Sequence, residues 1–133
     1  MRKKPDSVPR IRVKTPLAPA AIGPYSQAVQ VGETLYVSGQ IAIDPRTGHM
    51  ISSGIEAETE QVLENLGNVL RAAGLDYRNV VRCTVYLADI NDYAQVNEIY
   101  ARYFSDDPPA REAVQVAALP RAARVEISCI AVH

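Results

Sequence analysis

In SGIEAETEQVLENLGNVLRAAGLDYRNVVRCTVYL (residues 53–87) the apolar period switches from that of a helix to that of a strand, and the architecture hangs on the switch. Ile55, Thr59, Val62, Leu63, Leu66, Val69, Leu70 and Ala73 recur at three- and four-residue steps and form one helical stripe. Ser53 with Glu56 three residues on predicts a capping box, and Gly74 predicts the helix end. Gly67 weakens a helix interior by about 1 kcal/mol relative to Ala, which points to close packing against a neighbour. From Val80 to Leu87 the pattern alternates. Val81, Cys83, Val85 and Leu87 share one face, and Val80, Arg82, Thr84 and Tyr86 share the other.

Upstream, residues 1–9 read as a tail, and residues 11–14 as its continuation or as a short strand. Pro16, Pro19, Gly23 and Pro24 then punctuate a loop. Residues 28–31 and 34–43 read as two strands joined tightly at Gly32-Glu33, and Asp44 to Gly48 as a turn. Downstream, a second helix is expected over residues 92–104, with Tyr93, Val96, Tyr100, Tyr103 and Phe104 inward. The last strands are expected over residues 113–117 and 124–132. Strands, helix, strand, helix, strands make one α+β domain over residues 15–133, with both helices on one face of a mixed sheet. The other face would carry Val80, Thr84, Tyr86, Ile130 and Val132, too apolar to stay wet, so a second subunit is expected to cover it.

The chain has 133 residues and a formal net charge of −1, with a pI near 6.1. That balance argues against nucleic acid as a partner. No apolar run is long enough to span a membrane, and the basic start has no apolar segment behind it, so a cytoplasmic setting is expected. Cys83 and Cys129 sit in apolar strands and read as buried thiols. His49 and His133 form neither a metal site nor a catalytic triad. The lysines, Lys3, Lys4 and Lys14, are all N-terminal, which disfavours Schiff-base chemistry. An enzyme here would work without metal, covalent lysine or nucleotide.

Four features could carry chemistry. Glu126 lies inside VEISCIAV (residues 125–132), where a carboxylate is costly unless paired. Solvent-facing alternation with Arg124 and Ser128 is the other reading, although Ile130 and Val132 fall on the same side. Arg111 follows Pro108-Pro109-Ala110, so its planar fork, suited to a carboxylate, is presented from a stiff backbone; an ordinary surface arginine is the alternative. Gly39, within Ser38-Gly39-Gln40, marks either close approach of a ligand or a bulge. Tyr25, in Gly23-Pro24-Tyr25-Ser26, either offers a phenol to a pocket or anchors the loop.

Together, APAAIGPYSQA (residues 18–28), LYVSGQIAIDPRTG (35–48), TEQVLENLGNVLRAAG (59–74), VVRCTVYLADINDYAQVNEIYARYF (80–104) and PPAREAVQVAALPRAARVEISCIA (108–131) resemble the RidA family, the reactive intermediate deaminases. The resemblance covers residues 17–132. It implies a fold similar to Bacillus-type chorismate mutase, a homotrimer with ligand sites in the clefts between subunits, and no cofactor. It implies hydrolysis of 2-imino acids, such as 2-iminopropanoate and 2-iminobutanoate, to 2-keto acids and ammonium. Arg111 matches the arginine that grips the substrate carboxylate, and Glu126 the glutamate that orients water. Tyr25, Ser38 and Gly39 match pocket-lining positions, and Asn97 a structural asparagine. Two departures stand out. Ala113 replaces the cysteine or hydroxyl residue of many members, leaving only its backbone to bind, and the stretch from Phe104 to Pro109 is short.

A simple hairpin of the last two strands would put residue 116 opposite Glu126 and leave Arg111 about 16 Å away along the strand. Either those strands are not neighbours, or the site borrows from a second chain. If Arg111 and Glu126 point into different cavities, the mechanism in which they share a substrate fails. The rival to an enzyme is a non-catalytic trimer that binds a 2-keto acid in the same clefts. RNA cleavage fits poorly with the acidic pI and the missing histidine pair.

Overall fold

The computed structural model describes residues 8–133. The chain folds into strands β1 (Arg10–Val13), β2 (Ala28–Val31) and β3 (Thr34–Gln40), helix α1 (Ile55–Ala72), strand β4 (Val80–Leu87), helix α2 (Tyr93–Tyr103), and strands β5 (Ala110–Gln115) and β6 (Val125–Val132). The six strands form one sheet in the order β1-β2-β3-β6-β4-β5. All neighbours are antiparallel except β4 and β5, which run parallel. A parallel pair needs a crossover, and α2 supplies it. The sheet begins at Arg10, within the segment expected as tail or short strand; most of the expected tail lies outside the described residues.

Both helices pack on one face. Val62, Leu63, Leu66, Val69 and Leu70 of α1 are fully buried, as are Leu35, Cys83, Leu87, Val125, Ile127 and Ala131 from the sheet. Each such aliphatic side chain stabilises the fold by about 2 kcal/mol relative to exposure. Gly74, at φ 78°, sends α1 into its end: its N–H bonds to Arg71 O at 3.0 Å, and the Leu75 N–H to Leu70 O at 2.9 Å. Gly67 has the expected neighbour, because a Cβ there would stand 2.0 Å from Tyr77 Oη. That hydroxyl donates to Leu63 O at 2.8 Å.

Several local expectations need correction. Ser53 and Glu56 form no capping box: the N-cap is Gly54, and no side chain caps it. Val80 does not lie on the open face. A register shift between Val80 and Arg82 turns Val80 into the core with Cys83 and leaves Val81 exposed. Strict alternation cannot foresee an extra residue in one strand. Strand β3 stops at Gln40 rather than residue 43, and β5 starts three residues before the expected Ala113. In α2, Ile99 joins Val96 and Tyr100 inside, while Tyr93 is 40% exposed.

Three polar contacts set the loops around the site. Buried Asn65 donates to Ile41 O at 3.1 Å and Ile43 O at 2.9 Å, pinning the chain beyond β3 to α1. Buried Gln27 accepts from the Thr15 N–H at 2.7 Å and donates to Pro19 O at 2.8 Å, fixing the loop before Tyr25. Buried Glu58 pairs with Arg124 at 3.3 Å, tying α1 to the start of β6.

Candidate active site

Arg111 is the second residue of β5. It lies in register with core-facing Cys83 of β4, so its side chain leaves the sheet on the helical side and meets α2. Its Nη1 donates to Asn97 Oδ1 at 2.8 Å and its Nη2 to Tyr93 Oη at 2.6 Å. The guanidinium carbon sits 4.7 Å from the ring centroid of Tyr100 and 5.5 Å from that of Tyr93, close enough for cation–π attraction. Tyr93, Asn97, Tyr100 and Phe104 follow a helical step along one stripe of α2. Rings of Tyr100 and Phe104 pack at 4.6 Å, and those of Phe104 and Tyr77 at 5.7 Å, which fixes that stripe. Asn97, Tyr100, Phe104, Pro108, Pro109 and Arg111 line a cavity of about 310 Å³.

Glu126 occupies the opposite face. It lies in register with Tyr86 of β4, on the half-buried side that also carries Thr84, Ser128, Ile130 and Val132. Removal from water raises its pKa above the usual 4.5. Its carboxylate lies over Gly39, where a Cβ would come within 2.3 Å of Oε2. The bulge reading of Gly39 holds, because the β3–β6 register shifts between Val37 and Gln40, and the close approach there is by the side chain of Glu126, which a Cβ would displace. Ser38 Oγ donates to Ser26 O at 2.6 Å, joining β3 to the Tyr25 loop. Tyr25, Ser38, Gly39 and Glu126 line one cavity of about 320 Å³, with Pro120 and Arg121.

The residues expected to share one site fall into two sets. Tyr25, Ser38, Gly39 and Glu126 come together, and so do Arg111 and Asn97. Within one chain the sets do not meet. Strands β5 and β6 are separated by β4, which disposes of the simple hairpin. Arg111 and Glu126 register with Cys83 and Tyr86, three positions apart and of opposite facing. The two side chains open into different cavities, so the expectation that they share a substrate fails within one chain. Ala113, half-buried against the core, lines neither cavity.

Two groups went unrecognised. Tyr100 is buried as expected and Tyr93 is not, but both also flank the Arg111 guanidinium, on the stripe that carries Asn97. Arg121 enters the Glu126 cavity from a left-handed backbone (φ 57°), followed by Ala122 (φ 56°); no residue type there announces that conformation.

The sequence profile of the family described as endoribonuclease L-PSP matches residues 15–133. The chain belongs to the RidA family. It is 57% identical over 127 residues to the mouse 2-iminobutanoate/2-iminopropanoate deaminase, covering 96% of this chain and 94% of that one. It is 46% identical to a Rid-family protein of unknown function from Yersinia pestis, whose crystal structure superposes with a TM-score of 0.92 over 94% of this chain and all of that one (100%). The Escherichia coli TdcF structure, which holds bound serine, is 38% identical with a TM-score of 0.89, covering 92% of this chain and 99% of that one. The RidA fold thus carries an α+β sheet with two helices, as expected. No helix among the described residues is long and apolar enough to cross a membrane.

Proposed function

We propose that this RidA protein hydrolyses small 2-imino acids to 2-keto acids and ammonium, as a homotrimer of the chorismate mutase-like kind. The observation that carries the reading is Arg111, a guanidinium fixed by Asn97, Tyr93 and the Tyr100 ring inside a small cavity. Those contacts use two of its five N–H donors and leave the others for a carboxylate. The likeness to the mouse 2-iminobutanoate/2-iminopropanoate deaminase supports the choice of substrate.

In this reading the Arg111 cavity of one subunit faces the Glu126 cavity of the next. The half-buried face bearing Tyr86, Ile130 and Val132, with exposed Tyr36 beside Ile130, is the surface a neighbour would cover. Arg111 clamps the carboxylate, which orients the C=N bond. Glu126 holds a water molecule and takes its proton as the oxygen adds to the imine carbon. Starting from the protonated imine, Glu126 returns that proton to the nitrogen of the adduct and takes the hydroxyl proton as the C=O forms and the C–N bond breaks; the released ammonia picks up that proton and leaves as ammonium with the 2-keto acid. Ser38, Gly39 and Tyr25 wall the water side. An iminium carbon is electrophilic enough to need no cofactor. The thiols of Cys83 and Cys129, opposed in register yet unbonded, suit a reducing, cytoplasmic setting.

The protein is coupled to an amino-acid oxidase that releases imino acid, with semicarbazide as competitor. Faster keto-acid formation, abolished in Arg111→Ala, supports the enzyme. Tight 2-keto acid binding without rate enhancement would instead mark a binding module, and RNA loss that persists in Arg111→Ala a nuclease. The two-chain site has its own test. Arg111→Ala and Glu126→Gln subunits, each inactive, are unfolded and refolded together. Random mixed trimers should recover about a quarter of the parental rate, since only a boundary between unlike subunits rebuilds an intact site. No recovery would overturn the shared cleft.

A further inference from the structure

Arg111 leans on a hydroxyl whose own proton is not used in that contact. The guanidinium can only donate, so in the 2.6 Å contact between Nη2 and Tyr93 Oη the tyrosine oxygen accepts. The phenolic O–H is then left to donate elsewhere, and no other hydrogen bond engages it among the described residues. Tyr93 keeps 40% of its surface exposed, whereas Tyr100, on the same stripe, keeps 6% and holds the face of the guanidinium. The second helical tyrosine therefore packs, while the first presents an oxygen to solvent beside the positive fork. The strand that carries Arg111 offers no such group. Ala113, its next neighbour on that face, ends in a methyl.

We propose that Tyr93 is a substrate-binding residue of this site: its hydroxyl accepts from Arg111 and donates its own proton in a hydrogen bond to the carboxylate that Arg111 holds. The inference rests on the reading of Arg111 as the carboxylate clamp and adds a second donor to it. A hydroxyl polarised by a neighbouring cation is a stronger donor than an isolated one, because the guanidinium draws charge from the oxygen. The anion would meet a fork and a phenol fixed relative to each other, both preset by α2 before the ligand arrives. Tyr93 makes the clamp tighter for acids and adds nothing for neutral carbonyl compounds.

The test uses Tyr93→Phe, which keeps the ring and its stacking against the cation, in the full-length protein. Calorimetric titration with 2-oxobutanoate, a stable anion of the product class, should give a Kd raised roughly 10-fold, the size expected for one hydrogen bond to a charged group. KM for the imino acid should rise by about the same factor while kcat stays within about 2-fold, as for uniform binding. Binding of butanone, which lacks the carboxylate, should not change. If Tyr93→Phe weakens butanone as much as 2-oxobutanoate, the tyrosine only shapes the cavity and the inference falls. Unchanged 2-oxobutanoate binding in Tyr93→Phe, together with its loss in Arg111→Ala, would also overturn it and leave the Arg111 clamp standing. Unchanged binding in Arg111→Ala would remove the clamp itself and the inference with it.

Discussion

The Arg111 cavity and the Glu126 cavity are nearly equal in size, about 310 and 320 Å³, and opposite in how their charged groups are treated. Arg111 is held on three sides, by an amide oxygen, a phenol and an aromatic face. Glu126 has no hydrogen bond or ion pair among the described residues, and its backbone surroundings are cut back to glycine to admit it. A cation pinned in advance binds a ligand with little loss of freedom. A carboxylate without partners stays available to take a proton, and burial lifts its pKa toward the working range. In the proposed mechanism one sheet carries a binding group on one face and a reacting group on the other, and the surroundings of each suit that task.

The heaviest blow to this contrast is Arg111→Ala. Losing the charged partner of a bound carboxylate should lower kcat/KM on the order of 10³-fold, with 2-oxobutanoate binding lost in calorimetry. Next comes Glu126→Gln. It should reduce kcat by about 10²-fold while leaving 2-oxobutanoate binding intact; equal damage to binding would show that Glu126 also grips substrate. The base acts ionised, so parental activity should fall as pH drops through a value above the usual 4.5, and that acid limb should vanish in Glu126→Gln. The same burial makes the ionised carboxylate a burden on the fold. That burden is absent below the ordinary glutamate pKa and grows as pH rises through the elevated folded-state value. Glu126→Gln should therefore melt at pH 8 no lower than the parent.

Smaller effects sharpen the comparison. Gly39→Ala would put a methyl where Oε2 now lies and swing the carboxylate aside. Activity should drop about 30-fold, since small misplacements of reacting groups are costly. Stability should change by less than about 1 kcal/mol, because the displaced atom ends a flexible chain. Asn97→Ala removes one support from the fork and should raise KM about 5-fold with kcat nearly unchanged, read from steady-state kinetics. If it lowers kcat instead, Asn97 touches the reacting atoms and is more than a prop.

Much of this was legible before any coordinates. The helical stripe from Ile55 to Leu70 and the strands around Cys83 and Cys129 announce themselves through period alone, because burial on one face demands it. Arg111 and Glu126 stood out as charges in apolar or stiffened contexts. What periodicity could not convey was non-local. The extra residue near Val80 depends on the partner strand, and so does the break at Gly39. Facing was missed for the same reason. Arg111 and Glu126 could each be singled out locally, but only the insertion of β6 between β3 and β4 reveals that they look in opposite directions. Tyr93 was misjudged because aromatic residues on a helix stripe are usually core, and nothing local marks the one that ends beside a cation.

Strand β6, the last in order among the described strands, is also the keystone of the sheet. With β6 placed between β3 and β4, the ribbon β1-β2-β3 and the pair β4-β5 have no common edge until residues 125–132 arrive. Until residues 125–132 are in place, two strand edges stay open and α1 is only half covered. Such distant pairings fold slowly, and exposed edges invite pairing with other chains. A chain truncated before Val125 would thus be two unjoined halves, with Glu126, the proposed base, missing as well.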